Sequence, residues 1–183
     1  MNAPASPPSP YSAATKLSNV EAHTLSVLVD NEPGVLARVV GLFSGRAYNI
    51  DSLTVAEVAH AEHLSRITIR TLGAPETIEQ IRHQLERLVP VRKVTDLTLG
   101  GRSLERELSM VKVKGRGDDR TDALQLAEAF RARVVDATTE SFIFELTGKP
   151  EKIDEFVDLM RPIGLVEVSR TGVAAISRGP DPI

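Results

Sequence analysis

The sequence predicts an α+β protein built as two successive βαββαβ units, and three observations predict it. Hydrophobic periodicity switches between the strand period of about 2 and the helix period of about 3.6 in the same order twice along the chain. A glycine pair, Gly100-Gly101, stands between the two runs as a joint. The apolar residues, 42% of 183, are almost all aliphatic, with five Phe, two Tyr and no Trp, which suits small sheets covered by helices.

The first nineteen residues carry Pro4, Pro7, Pro8 and Pro10 among Ala and Ser and hold nothing to bury, so 1–19 reads as a disordered tail. From His23 to Asp30, Leu25, Val27 and Val29 alternate as one face of a strand. Asn31-Glu32-Pro33-Gly34 follows as a turn. Val35, Leu36, Val39, Val40, Leu42 and Phe43 then mark a helix, with Pro33 expected in its first turn and Gly45 at its exit. Asn49–Val58 and Leu64–Leu72 read as two strands of a hairpin. Pro75-Glu76 opens a helix with Ile78, Ile81, Leu85 and Leu88 on one face, and Val91–Leu99 closes the unit as a strand.

The pattern repeats as strand Glu107–Lys114, a helix near Asp122–Ala132, strands Arg133–Ala137 and Ser141–Thr147, helix Glu151–Met160 and strand Leu165–Arg170. Each unit folds as a ferredoxin-like sheet with both helices on one face. The other face of the first sheet, carrying Ser52, Thr54, Thr68 and Arg70, is expected to be polar and uncovered. The Val- and Leu-rich edges predict a homodimer.

Without Cys there is no disulfide framework, thiolate metal site or cysteine nucleophile. A formal charge of −3 leaves no global basic field for nucleic acid. No apolar run approaches the ~20 residues of a membrane span and no secretion signal opens the chain, so a soluble, cytoplasmic protein is expected. His60 and His63, three apart on a hairpin, lack further ligands, and His23 and His83 stand alone, so no metal site is assigned. Gly115-Arg116-Gly117 is too short for a dinucleotide fingerprint. No nucleophile elbow or phosphate loop is present, so no catalytic residue is assigned and a sensor or adaptor is expected rather than an enzyme.

The informative segment is the first strand-to-helix turn, where Gly34 lets a ligand approach the backbone and the free N–H groups at the helix start attract a carboxylate. Asn31 and Asn49, expected close together, offer amides that suit a zwitterion. Read plainly, Asn31 is a helix cap and Asn49 a turn residue. In the second unit this turn is replaced by Gly115–Asp119, so the site is not expected twice.

The run SVLVDNEPGVLARVVGLFSGRAYNIDSLTVA resembles the small regulatory subunit of acetolactate synthase, its first unit resembling an ACT domain; LSRITIRT, VDATTESFIFELTG and RTGVAAISRG extend the match. The resemblance implies an effector-binding ACT domain at 23–99 and a regulatory domain at 106–178. It implies a non-catalytic subunit that activates a large catalytic subunit and confers feedback inhibition by valine in branched-chain amino acid synthesis. Thiamine diphosphate, FAD and magnesium would then belong to the large subunit. Valine would lie between the ACT domains of two copies, against Asn31, Gly34, Val35, Leu36, Asn49 and Ile50. Pro33 departs from the small residue that many relatives carry there, which bears on effector preference. The alternative is a free-standing ACT sensor acting on another enzyme or a transcription factor. No helix-turn-helix or basic stripe supports a DNA-binding version, and no exposed aromatics support an RNA-recognition module.

Overall fold

Leu25, Val27 and Val29 are fully buried along one face of the first strand, β1 (Glu21–Asp30), as their alternation requires. The computed structural model describes residues 20–99 and 103–182, and continues with α1 (Val35–Ser44), β2 (Ser52–Ala59), β3 (Leu64–Gly73), α2 (Pro75–Glu86) and β4 (Val91–Asp96). The second unit comprises β5 (Ser103–Lys114), α3 (Asp118–Phe130), β6 (Arg133–Ala137), β7 (Ser141–Gly148), α4 (Pro150–Gly164), β8 (Leu165–Arg170) and β9 (Ala174–Ser177). The expectations for 1–19 and for Gly100-Gly101 fall outside the described residues.

The two sheets have the same antiparallel order, β2-β3-β1-β4 and β6-β7-β5-β8, which is the tandem α+β arrangement expected. In the first core Val35, Val39 and Phe43 of α1 and Ile78, Ile81 and Leu85 of α2 pack on the inward residues of β1 and β3. In the second, Ile153, Phe156 and Met160 of α4 pack on Val111, Val113, Phe142, Phe144 and Leu146. The cluster of Phe130, Phe142, Phe144 and Phe156 concentrates four of the five Phe residues there.

Several boundaries differ from the sequence reading. Pro33 stands ahead of the helix, whose N-cap is Gly34; Gly45 is its C-cap as expected, right-handed with its N–H donating to Gly41 O at 2.9 Å, and the left-handed residue beyond it is Ala47, with Tyr48 N–H donating to Phe43 O at 3.0 Å. β2 starts at Ser52, since Asn49 and Asp51 are tied to β3 only at its end. α3 begins at Asp118, because Asp118 and Asp119 suit the positive end of a helix, and stops at Phe130 with Arg131 left-handed. α4 runs through the exposed Pro162 to Gly164. β5 begins at Ser103 because β9, which periodicity alone does not reveal in four residues, pairs with its first half.

The outer face of the first sheet is not uncovered. Thr24, Ser26 and Thr68 are buried there, and the segment before β9 closes over the sheet: Thr54 Oγ1 donates to Val173 O at 3.0 Å, and Val173 N–H to Ser52 Oγ at 3.3 Å. Leu97, Val173 and Ala175 form a small apolar cluster at this junction. The hydroxyls expected to face water thus serve as hydrogen-bonding partners between the two units.

Candidate functional site

The turn after β1 is held from three sides. Asn31 N–H donates to His63 O at 2.7 Å, Asp30 N–H to Pro90 O at 2.9 Å, and Arg92 reaches the Asp30 carboxylate at 2.8 Å. The Asp30 partner holds the Arg92 guanidinium above its ordinary range. Gly34 then takes φ +85°, a left-handed conformation that a Cβ would strain, and starts α1 with Arg38 N–H donating to its carbonyl at 3.1 Å. No side chain caps α1 and no acidic residue stands in its first turn; Val35 N–H donates to Glu32 O at 3.3 Å, and the N–H groups of Gly34 and Leu36 are the ones that can meet an anion. Asn31 therefore is not a helix cap, and its amide is exposed and free for a ligand. Leu36 is 39% exposed beside the turn, while Val35 faces the core. At the corresponding place in the second unit, Asp118 and Asp119 already supply the negative charge, which disfavours a carboxylate ligand there.

Asn49 and Ile50 lie elsewhere. Thr71 Oγ1 donates to Asn49 O at 2.5 Å and Asp51 N–H donates to Arg70 O at 2.8 Å, which fixes this segment at the end of β3. Thr71 pairs with His23 at the start of β1, whereas Asn31 follows Asp30, paired with Leu64. The seven steps from His23 to Asp30 place the two asparagines at opposite ends of the sheet, about 23 Å apart at roughly 3.3 Å per residue. The expectation that they lie close within one copy is thus corrected. α1 runs back along β1 and delivers the chain to the far end of the sheet. Asn49 Nδ2 donates to Asp51 Oδ1 at 2.8 Å, and Ile50 packs half-buried on the core.

Next to Asn49, the two units border an open cleft of about 470 Å³ lined by Asp51, Ser52 and Arg70 on one side and by Glu107, Asp154 and Arg170 on the other. Arg70 donates to Glu151 Oε1 at 3.1 Å across the junction. The Glu151 carboxyl is held below its ordinary range by its own backbone N–H at the start of α4 and by Arg70, against the opposing effect of burial. Arg170 makes two bonds to the buried Glu107, at 2.9 and 2.6 Å, and one to Asp154 at 2.6 Å. These contacts raise the guanidinium pKa, led by the Glu107 hydrogen bond.

Sequence reasoning missed this junction, since its charges lie up to 81 positions apart and belong to no local motif. It also read His23 as solitary. His23 is buried and its Nδ1 is 2.7 Å from Asp96 Oδ2, a partner 73 residues on. His83 is exposed beside Glu79 and Glu86, and His60 beside Glu57. No helix among the described residues is long and apolar enough to cross a membrane.

Residues 25–93 match the model of the AHAS small subunit-like ACT domain, and residues 106–179 match that of the small subunit of acetolactate synthase. The probable acetolactate synthase small subunit of Archaeoglobus fulgidus is 45% identical over 86% of this chain and 97% of its own length. The acetolactate synthase isozyme 3 small subunit of Escherichia coli is 44% identical over 85% and 94%. The crystal structure of the acetolactate synthase small subunit from Thermotoga maritima superposes with a TM-score of 0.78 at 38% identity, covering 88% of this chain and 99% of that one.

Proposed function

This chain belongs to the acetolactate synthase small-subunit family, and from that premise we propose that it is a non-catalytic regulator. It raises the activity of the large catalytic subunit and makes that activity inhibitable by valine. Thiamine diphosphate, FAD and magnesium act on the large subunit. The observation that carries the effector assignment is the uncapped, acid-free start of α1 behind a left-handed Gly34. The valine carboxylate meets the N–H groups at Gly34 and Leu36, the Val35 N–H being held by Glu32 O. Its ammonium meets the amide oxygens of Asn31 and Asn49, and its isopropyl group packs beside Leu36 and Ile50.

Asn31 and Asn49 cannot both reach one effector within a copy, so the site is shared between two copies. β2 is an edge strand with its outer backbone groups unpaired in the sheet, and Val55 and Val58 are 43% and 47% exposed on it. Antiparallel pairing of β2 with β2 of a second copy places the start of each strand, next to Asn49, beside the end of the other, next to the Asn31 turn. One two-fold axis then creates two equivalent sites. Valine shifts activity by the difference in its affinity for the two arrangements of that interface.

The test is acetolactate formation by the large subunit with and without this chain across a valine titration. Asn31→Ala and Asn49→Ala each abolish valine inhibition while stimulation remains. Mixing the two variants restores about a quarter of the sites, because half the dimers are mixed and each mixed dimer holds one intact site. No stimulation by the wild-type chain overturns the regulatory reading, and no restoration on mixing overturns the shared site.

A further inference from the structure

α1 and α2 lie side by side over the first sheet, and the outer groove between them, a shallow open depression of about 450 Å³, is lined by Arg38, Leu42, Arg46, Gln84, Arg87 and Leu88. Arg38, Arg46 and Arg87 are exposed, and none forms an ion pair among the described residues, whereas their neighbour Arg82 is held by Glu79 and Glu86. On a chain of net charge −3 this is a local concentration of positive charge around an aliphatic floor of Leu42 and Leu88. Gln84, which also lines the groove, has its Oε1 buried without a donor. Such a groove matches an amphipathic helix that presents carboxylates beside aliphatic side chains, each carboxylate accepting two parallel guanidinium bonds.

Charge complementarity selects the occupant. The amino-terminal segment 1–19 contains Lys16 and no acidic residue, so it brings nothing for the arginines. A second copy docking groove to groove about a two-fold axis sets guanidinium against guanidinium, which is repulsive. What remains is the partner that family membership supplies, and we infer that this groove is a docking surface for an acidic, aliphatic helix of the large catalytic subunit. The inference rests on the family and not on the effector assignment. The placement also gives the two sites a common lever. α1 starts at the effector turn, with the Arg38 N–H bonded to Gly34 O, and carries Arg38 and Leu42 on its body.

The experiment is titration of the labelled full chain with the large subunit, at low and high salt, for wild type, Arg38→Glu, Arg87→Glu and the control Lys112→Glu, which lies on the open face of the second sheet. All three positions are at least partly exposed, and circular dichroism of each variant checks the fold. The expected result is a rise in Kd of about tenfold or more for each arginine reversal, with the salt dependence reduced and the control unchanged. Neutralisation by Arg38→Gln gives a smaller rise in the same direction. Unchanged Kd in both arginine reversals overturns the inference, as does an equal weakening in Lys112→Glu. Binding of inorganic triphosphate that is lost in Arg38→Glu while large-subunit association is unmoved also overturns it, assigning the groove to a small polyanion instead.

Discussion

Replacing Arg170 by alanine tests the ion-pair network at the junction of the two units. Glu107 is only 4% exposed and receives two of the three bonds that Arg170 makes. Removing the guanidinium leaves a carboxylate desolvated and unpaired, which costs about 3–5 kcal/mol for a fully buried pair. The Arg170 side chain is 35% exposed, so water already screens part of the interaction and the lower end, about 3 kcal/mol, is expected. For a chain of this size that lowers Tm by roughly 6–12 °C. Urea denaturation at pH 7 measures the loss directly. Adding Glu107→Gln to Arg170→Ala recovers part of it, because an amide is less costly to bury than a charge. A loss below about 1 kcal/mol, the range of exposed pairs, refutes the view that Glu107 depends on Arg170.

Three other outcomes follow from the geometry. Gly172 has φ +82°, and a Cβ there would stand 3.1 Å from Thr54 Oγ1 and 3.3 Å from Ser52 Cβ, so Gly172→Ala costs about 1–2 kcal/mol by thermal unfolding and loosens the hydrogen bonds between the units. Gly34 also has a left-handed φ but open space around its Cβ position; Gly34→Ala costs only about 1 kcal/mol of stability, while calorimetric valine binding falls because the backbone is shielded. The Glu151 and Glu167 carboxyls are both depressed when folded, Glu151 by its backbone N–H and Arg70, and Glu167 by the Lys112 ammonium. Their contribution is present above the ordinary carboxylate value of 4.5 and is lost as pH falls through the lower folded values, so the acid limb of a stability–pH curve flattens in Glu151→Gln.

The order of strands and helices was written in local chemistry. Alternation at Leu25, Val27 and Val29, and the helical spacing of Ile78, Ile81 and Leu85, depend on neighbours a few positions apart, and the buried faces follow those patterns. The geometry of the first strand-to-helix turn was legible for the same reason, since Asn31 to Leu36 is one continuous segment. Helix ends were partly legible: Gly45 is the C-cap of α1, whereas Pro33 stands ahead of the helix and Gly34 is its N-cap.

Tertiary structure alone decided what lies opposite what. Only the register of β1 against β3 shows that Asn49 sits by Thr71, at the far end of the sheet from Asn31, so that one copy cannot bring both asparagines to one small ligand. Only packing shows that the hydroxyls of Ser52 and Thr54 receive the carboxy-terminal segment, that His23 meets Asp96, and that Arg38 in α1, Arg46 just after it and Arg87 at the end of α2 border one groove. The sequence by itself determined the elements and the residue types at the first turn, because periodicity and turn chemistry act over short range. Pairings across 63 to 121 positions depend on how sheets and helices pack together, and no local pattern along the chain records that.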